Sequence, residues 1–132
     1  MSSPKRRAKP TCRCLTCGKE AAAFGSMTEA DWFFTVLRPQ IFAGTARKSA
    51  EHKLIHPGFK LPGGVMVYAD AAFELLSERG EWVLHVVDVK AKGRGKGEQA
   101  ERRRRAFNRN RRMVLAVHGI DIEPIEHSIK GR

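Results

Sequence analysis

Cysteine is scarce and confined: three residues, Cys12, Cys14 and Cys17, fall within six positions. An odd number packed so closely argues against a disulfide framework. No apolar run approaches the roughly 20 residues needed to cross a bilayer. The basic N-terminus has no apolar segment behind it, so no secretory signal is expected. Acidic residues are also short, 14 Asp and Glu against 25 Lys and Arg, giving a net charge of +11 and a pI near 10.2. These shortages point to a soluble, cytoplasmic protein with a polyanionic partner, either nucleic acid or an anionic membrane surface. The membrane is disfavoured, because no amphipathic apolar face accompanies the charge.

The 132 residues, 42% of them hydrophobic, suffice for one domain with a single core. The stretch from Val65 to Ala91 organises it. Two runs rich in Val, Leu and aromatics, Val65–Leu76 and Trp82–Lys90, read as strands joined by the polar turn Ser77–Glu81. Asp70 interrupts the first strand, and Asp88 and Lys90 the end of the second. Strand periodicity puts Asp88 and Lys90 on one face with Trp82, Leu84 and Val86, and His85 on the other. A carboxylate and an ammonium in a Val-rich strand carry a desolvation cost and need partners. Each can serve the other, and Asp70 can approach the same point from the neighbouring strand. Two carboxylates and a lysine converging at the end of a sheet suit metal-dependent phosphodiester hydrolysis: carboxylates hold a hard cation, and the lysine stands by the attacking water.

Here the chain resembles the PD-(D/E)xK nuclease superfamily, through Asp70, seventeen intervening residues and Asp88-Val89-Lys90. Closer still, it is similar to small phage-borne proteins of the endonuclease I and Holliday-junction-resolvase kind. Those carry a helix with Ser-x-x-Glu-Ala, a strand with Ala-Asp and a strand with Asp-Val-Lys-Gly. The corresponding residues are Ser26-Met27-Thr28-Glu29-Ala30, Tyr68-Ala69-Asp70 and Asp88-Val89-Lys90-Ala91-Lys92-Gly93. The resemblance spans about Phe24 to Val117. It implies an α/β, restriction-endonuclease-like αβββαβ core with a mixed β-sheet over residues 24–132. A basic arm and Cys-rich extension would occupy residues 1–23.

Residues 1–10 are polar and basic, either a solvated tail or an arm gripping phosphates. Cys14-x-x-Cys17 has zinc-knuckle spacing, with Cys12 as a third ligand and His52, His56, His118 or His127 as a fourth. Structural Zn²⁺ and free thiols both stay open. Ser26–Leu37 reads as a helix, and Ser26-x-x-Glu29 fits a capping box. That explains Glu29 structurally, whereas the resemblance points it into an active site; the two are not exclusive. Pro39–Gly64 reads as irregular and basic, with short strand-like pieces near Gln40–Phe42 and Gly58–Leu61, and each of its residues is most simply surface connection. Lys92, Arg94 and Lys96 alternate with glycines in a basic turn. Glu98–Arg112 reads as a second helix with Glu98–Arg102 and Glu101–Arg105 pairs and with Ala100, Arg103, Ala106 and Phe107 towards the sheet. From Lys90 to Arg112, eleven basic residues face two glutamates. Seven arginines in one helix exceed what solubility needs and point to phosphate contact. Met113–His118 reads as a buried strand, and Ile120–Ile129 as a short edge or tail.

The expected function is a Mg²⁺- or Mn²⁺-dependent DNA endonuclease, on branched or structured DNA, in the host cytoplasm if phage-encoded. The resemblance assigns Asp70, Asp88 and the Val89 carbonyl to the metal, Lys90 to the water and Glu29 to a second metal. Lys92, Arg94, Lys96, Arg102, Arg103, Arg105 and Arg109 would grip the DNA backbone without reading sequence, and resolvases of this kind work as homodimers. The alternative is a non-catalytic basic nucleic-acid-binding protein with a zinc-stabilised N-terminus.

Overall fold

A computed structural model describes residues 24, 26–92 and 97–129. Cys12, Cys14, Cys17, Arg94 and Lys96 lie outside the described residues.

The chain enters through one helical rod in three parts: α1 (Met27–Trp32), a π-helical turn (Phe33–Leu37) and α2 (Arg38–Ala43). Ser26 caps it, its Oγ accepting the Glu29 N–H at 3.1 Å. The expected helix therefore continues beyond Leu37, and the strand-like piece at Gln40–Phe42 is helical. Pro39 cannot donate to the carbonyl four residues back. The π turn, with Arg38 N–H bonded to the Phe33 carbonyl, widens the backbone where that ring must fit. Gly44, in the left-handed region at φ 84°, ends the rod.

Six strands follow in two sheets: β1 (Ala46–Lys48), β2 (Gly58–Lys60), β3 (Met66–Tyr68), β4 (Ala71–Leu76), β5 (Trp82–Ala91) and β6 (Ile122–His127). The main sheet has the order β1-β4-β5-β6, and β2 pairs with β3 in a small hairpin. Neighbours β1, β4 and β5 run antiparallel, while β6 lies parallel to β5. A parallel neighbour needs a crossover, supplied by α3 (Gly97–His118, 22 residues). The main sheet is thus mixed, in the order helix, three antiparallel strands, helix, parallel strand.

Three sequence expectations need correction. Val65–Leu76 is not one strand: it breaks at Ala69-Asp70, so β3 pairs with β2 and only β4 pairs with β5. Met113–His118 is not a strand but the last turns of α3. Met, Leu and Ala are good helix formers, nothing breaks the helix after Arg112, and a short apolar run has no period of its own. Within this run only Val114 is buried, while Met113, Leu115 and Val117 are 41–48% exposed. The partner of β5 is instead β6, drawn from the segment read as an edge or tail.

Two apolar clusters cover opposite faces of the main sheet. Trp32, Phe33 and Leu37 of the rod pack with Ala71, Phe73, Val87 and Val89. On the other face Val86, Ala72 and Ile122 pack with Val114 of α3 and with Phe59, Leu61 and Val67 of the small hairpin, and Leu84 and Phe107 join them. Neighbouring residues of β5 divide between the two clusters, as strand alternation requires. Ala100 is buried and Phe107 half-buried, but Arg103 is exposed and donates to Gln99 rather than lying on the sheet. Glu101 pairs with Arg104, three residues on.

Candidate functional site

Asp70 sits in the kink between β3 and β4, and the kink exists because its hydrogen bonds lead in three directions. Its N–H donates to the Val87 carbonyl at 3.0 Å, its carbonyl accepts the His56 N–H at 3.0 Å, and its Oδ2 accepts the Val89 N–H at 2.7 Å. The segment before β2 is stitched alongside: Ala72 N–H donates to the Leu54 carbonyl and Ala69 N–H to the Pro57 carbonyl, each at 3.0 Å. Residues 54–57 are therefore not free surface connection but a strap across the start of β4.

The strap delivers a histidine. His56 has φ 56°, the only left-handed non-glycine among the described residues. Its Nε2 lies 3.2 Å from Glu29 Oε1. Glu29 reaches this point from the first turn of α1, with only 11% of its side chain exposed. The capping expectation is thus half met: Ser26 accepts the Glu29 amide, while the Glu29 carboxylate is directed at His56 and is hydrogen-bonded with Asp70.

Burial pushes the Asp70 carboxyl up to about 8, helped by the hydrogen bond with Glu29 and the nearby negative charge of Asp88, and opposed by the Val89 amide. Below that value Asp70 keeps its proton, which relieves its repulsion with Glu29 and Asp88. A divalent cation relieves the same repulsion, so the donor chemistry suits one. A ring nitrogen of His56 and one oxygen each of Glu29 and Asp70 lie within 4.8 Å of one another. With metal–oxygen bonds of about 2.1 Å, opposite ligands of one ion stand about 4.2 Å apart, so this group is near the right size.

Asp88 and Lys90 stand beside this group. Lys90 Nζ donates to Asp88 Oδ2 at 3.2 Å, with the lysine side chain 47% exposed and the aspartate 17%. The ammonium also lies 4.5 Å from the centroid of the Phe107 ring, which ties the end of β5 to α3. The structure therefore brings Glu29 and Asp70 into contact, with Asp88 close enough for its charge to act on Asp70. It pairs Lys90 with Asp88 rather than placing it among the three ligand atoms. Val89 serves through its N–H, on Asp70. Sequence reasoning gives His56 only as a loop cation or a zinc ligand, and no spacing marks it: its link to Glu29 spans 27 residues.

The remaining histidines do other work. His85 stacks on Phe73 and sits 3.2 Å from Glu123, as its strand face suggested. His127 lies 2.7 Å from Asp31, and His118 Nε2 lies 2.7 Å from the Lys60 carbonyl. Arg102, Arg103, Arg105, Arg109 and Lys92 are exposed. A surface depression of about 410 Å³, lined by Asn108, Arg111, Arg112, Leu115 and Asp121, shares no residue with the carboxylate group. Its Arg111 is already paired with Asp121 by two bonds of 2.6 and 2.9 Å. No described helix is long and apolar enough to cross a membrane. No family model, curated protein or solved structure matches the chain.

Proposed function

We propose that this chain is a divalent-metal-dependent endonuclease that hydrolyses phosphodiester bonds in branched or structured DNA. The single observation that carries the reading is the contact of two carboxylates from two elements, Glu29 of α1 and Asp70 before β4, with the charge of Asp88 on β5 acting on Asp70 and Lys90 paired to Asp88. Support also comes from the strand order, which agrees with the core implied by the resemblance to PD-(D/E)xK nucleases. Glu29, Asp70, Asp88 and the Val89 carbonyl would hold Mg²⁺ or Mn²⁺, which when bound supplies charge for the scissile phosphate and acidifies a water.

The chain's own residues do the rest. Lys90, its ammonium aimed by Asp88 and by the face of Phe107, orients the attacking water and stabilises negative charge building on the phosphate. Glu29 is buried and Asp70 half-buried, which strengthens their hold on a cation. The exposed arginines of α3, with Lys92, Arg94 and Lys96, hold the DNA backbone. A homodimer suits symmetric cutting of two strands, and Cys12, Cys14 and Cys17 suit an accessory zinc knuckle.

A four-way junction and a linear duplex incubated with wild type or Lys90→Ala, in Mg²⁺ and in Mn²⁺, test the proposal. Expected are metal-dependent nicks by wild type alone and equal binding by both. The second reading, a basic nucleic-acid-binding protein without catalysis, draws on the Asp88–Lys90 pair and the Asp70–Val89 bond, both of which serve the fold. Equal binding with no cleavage by either protein in either metal would establish it.

A further inference from the structure

We infer that His56 is a nitrogen ligand of the Glu29–Asp70 centre and that this makes the site select a first-row transition ion, with Mn²⁺ as probe, over Mg²⁺. The inference rests on the reading above only in placing a divalent ion at Glu29 and Asp70; it does not require that DNA be cut.

Three of the described histidines meet a carboxylate: His56 with Glu29, His85 with Glu123 and His127 with Asp31. Only His56 belongs to a described group whose ligand atoms, here with Glu29 and Asp70, all lie within 4.8 Å. Its position is also the most constrained. Left-handed backbone is uncommon for a residue with a side chain, and the surrounding fold must impose it. Here the His56 N–H is bonded to Asp70, the Pro57 carbonyl to Ala69, and the Leu54 carbonyl to Ala72. The same residue that presents a carboxylate therefore fixes the imidazole, and the two approach as one unit. Glu29 is held from the other side by the Ser26 cap.

Donor chemistry decides the ion. Mg²⁺ prefers oxygen ligands and retains its water, whereas imidazole suits first-row ions such as Fe²⁺, Ni²⁺ and Zn²⁺; Mn²⁺, the weakest of that series, is therefore the strictest probe of the nitrogen. Two carboxylates alone would give little discrimination; the nitrogen supplies it. In a cell where Mg²⁺ is the abundant ion, such a centre responds to a scarcer one.

The test is metal binding to the full chain, independent of cleavage. Titration calorimetry and the Mn²⁺ electron paramagnetic resonance signal are followed for wild type and for His56→Asn. Asn is chosen because it tolerates left-handed backbone. Wild type should bind Mn²⁺ at least about tenfold more tightly than Mg²⁺; His56→Asn should remove most of that margin while changing Mg²⁺ affinity by less than about threefold. Equal losses for both ions would overturn the inference, making His56 a support for Glu29, and so would no loss for either. Electron spin echo modulation of Mn²⁺-loaded wild type needs no variant: ¹⁴N coupling of a directly bound imidazole is expected, and its absence sinks the inference even if His56→Asn does not fold. Wild type that binds metal through nitrogen yet cuts no DNA would refute the nuclease reading and leave this one standing.

Discussion

Asp70 brackets Asp88. It is bonded to both chain neighbours of Asp88, giving its N–H to the Val87 carbonyl and taking the Val89 N–H on Oδ2 at 2.7 Å. The second bond puts a carboxylate where strand pairing would ordinarily place a carbonyl. The two acids cannot separate unless the end of β5 opens, so their mutual repulsion is built into the sheet.

That repulsion, added to burial and the Glu29 hydrogen bond, sets a pH dependence. Asp70 titrates near 8 in the folded, metal-free protein against an ordinary value of 3.8. The native state binds more protons than the unfolded chain between those values, so stability is full at the acid end and falls as pH rises towards 8. Asp70→Asn should flatten that slope and stabilise the protein at pH 8 by on the order of 2 kcal/mol, at about 1.4 kcal/mol per unit and discounted for solvent screening. Melting temperatures in EDTA from pH 4.5 to 8.5 check this; parallel curves for the two proteins would refute the buried proton. Asp121 behaves oppositely: Arg111 holds it below its ordinary value, so its small contribution disappears only as pH drops below about 4.

Asp88→Asn removes the charge that aims Lys90 and repels phosphate. Cleavage should fall by at least about 100-fold, the scale expected when a group acting in the transition state is removed. DNA affinity should stay level or rise. Anisotropy binding beside a nicking assay measures both, and a loss of binding would assign Asp88 to the fold.

Phe107→Leu keeps an apolar filler against Val86 and Val114 but removes the ring face beneath Lys90. An exposed cation–π interaction is worth roughly 0.5–1 kcal/mol. About a three- to fivefold drop in kcat with little change in KM is expected, with Phe107→Trp restoring activity. An unchanged kcat would mean that Asp88 alone places the ammonium.

The arginines of α3 predict a salt signature. Arg102, Arg103, Arg105 and Arg109 are exposed, so replacing them with Gln should leave the melting temperature within a degree or two. For every phosphate that an arginine no longer neutralises, the slope of log affinity against log salt should shrink by about 1. A quadruple variant with an unaltered slope would place the DNA elsewhere.

The hairpin residues are legible in the sequence because β-branched runs with period two have few alternatives, and β5 matches its expected span to within one residue. The Ser26 cap is legible because the hydroxyl and the amide it serves are three residues apart. The break at Asp70 is not, since it follows from bonds to Val87, Val89 and His56, none of them local. The last six residues of α3 read as a strand because Met113–Val117 has no polar residue to reveal its period. His56 carries no signal of its own, because nothing near it in the chain announces the strap that fixes it.

The pairing of β6 with β5 also limits how two copies could join. Lys92 N–H donates to the His127 carbonyl, so the odd-numbered residues of β6 turn their amides inward and the even-numbered ones face the rim. Pro124 is among the latter and leaves a gap in the row of donors, with charged Glu126 beside it. At the other margin β1 is three residues long. Among the described residues, neither margin of the main sheet offers a second molecule a long, uninterrupted row of donors to extend.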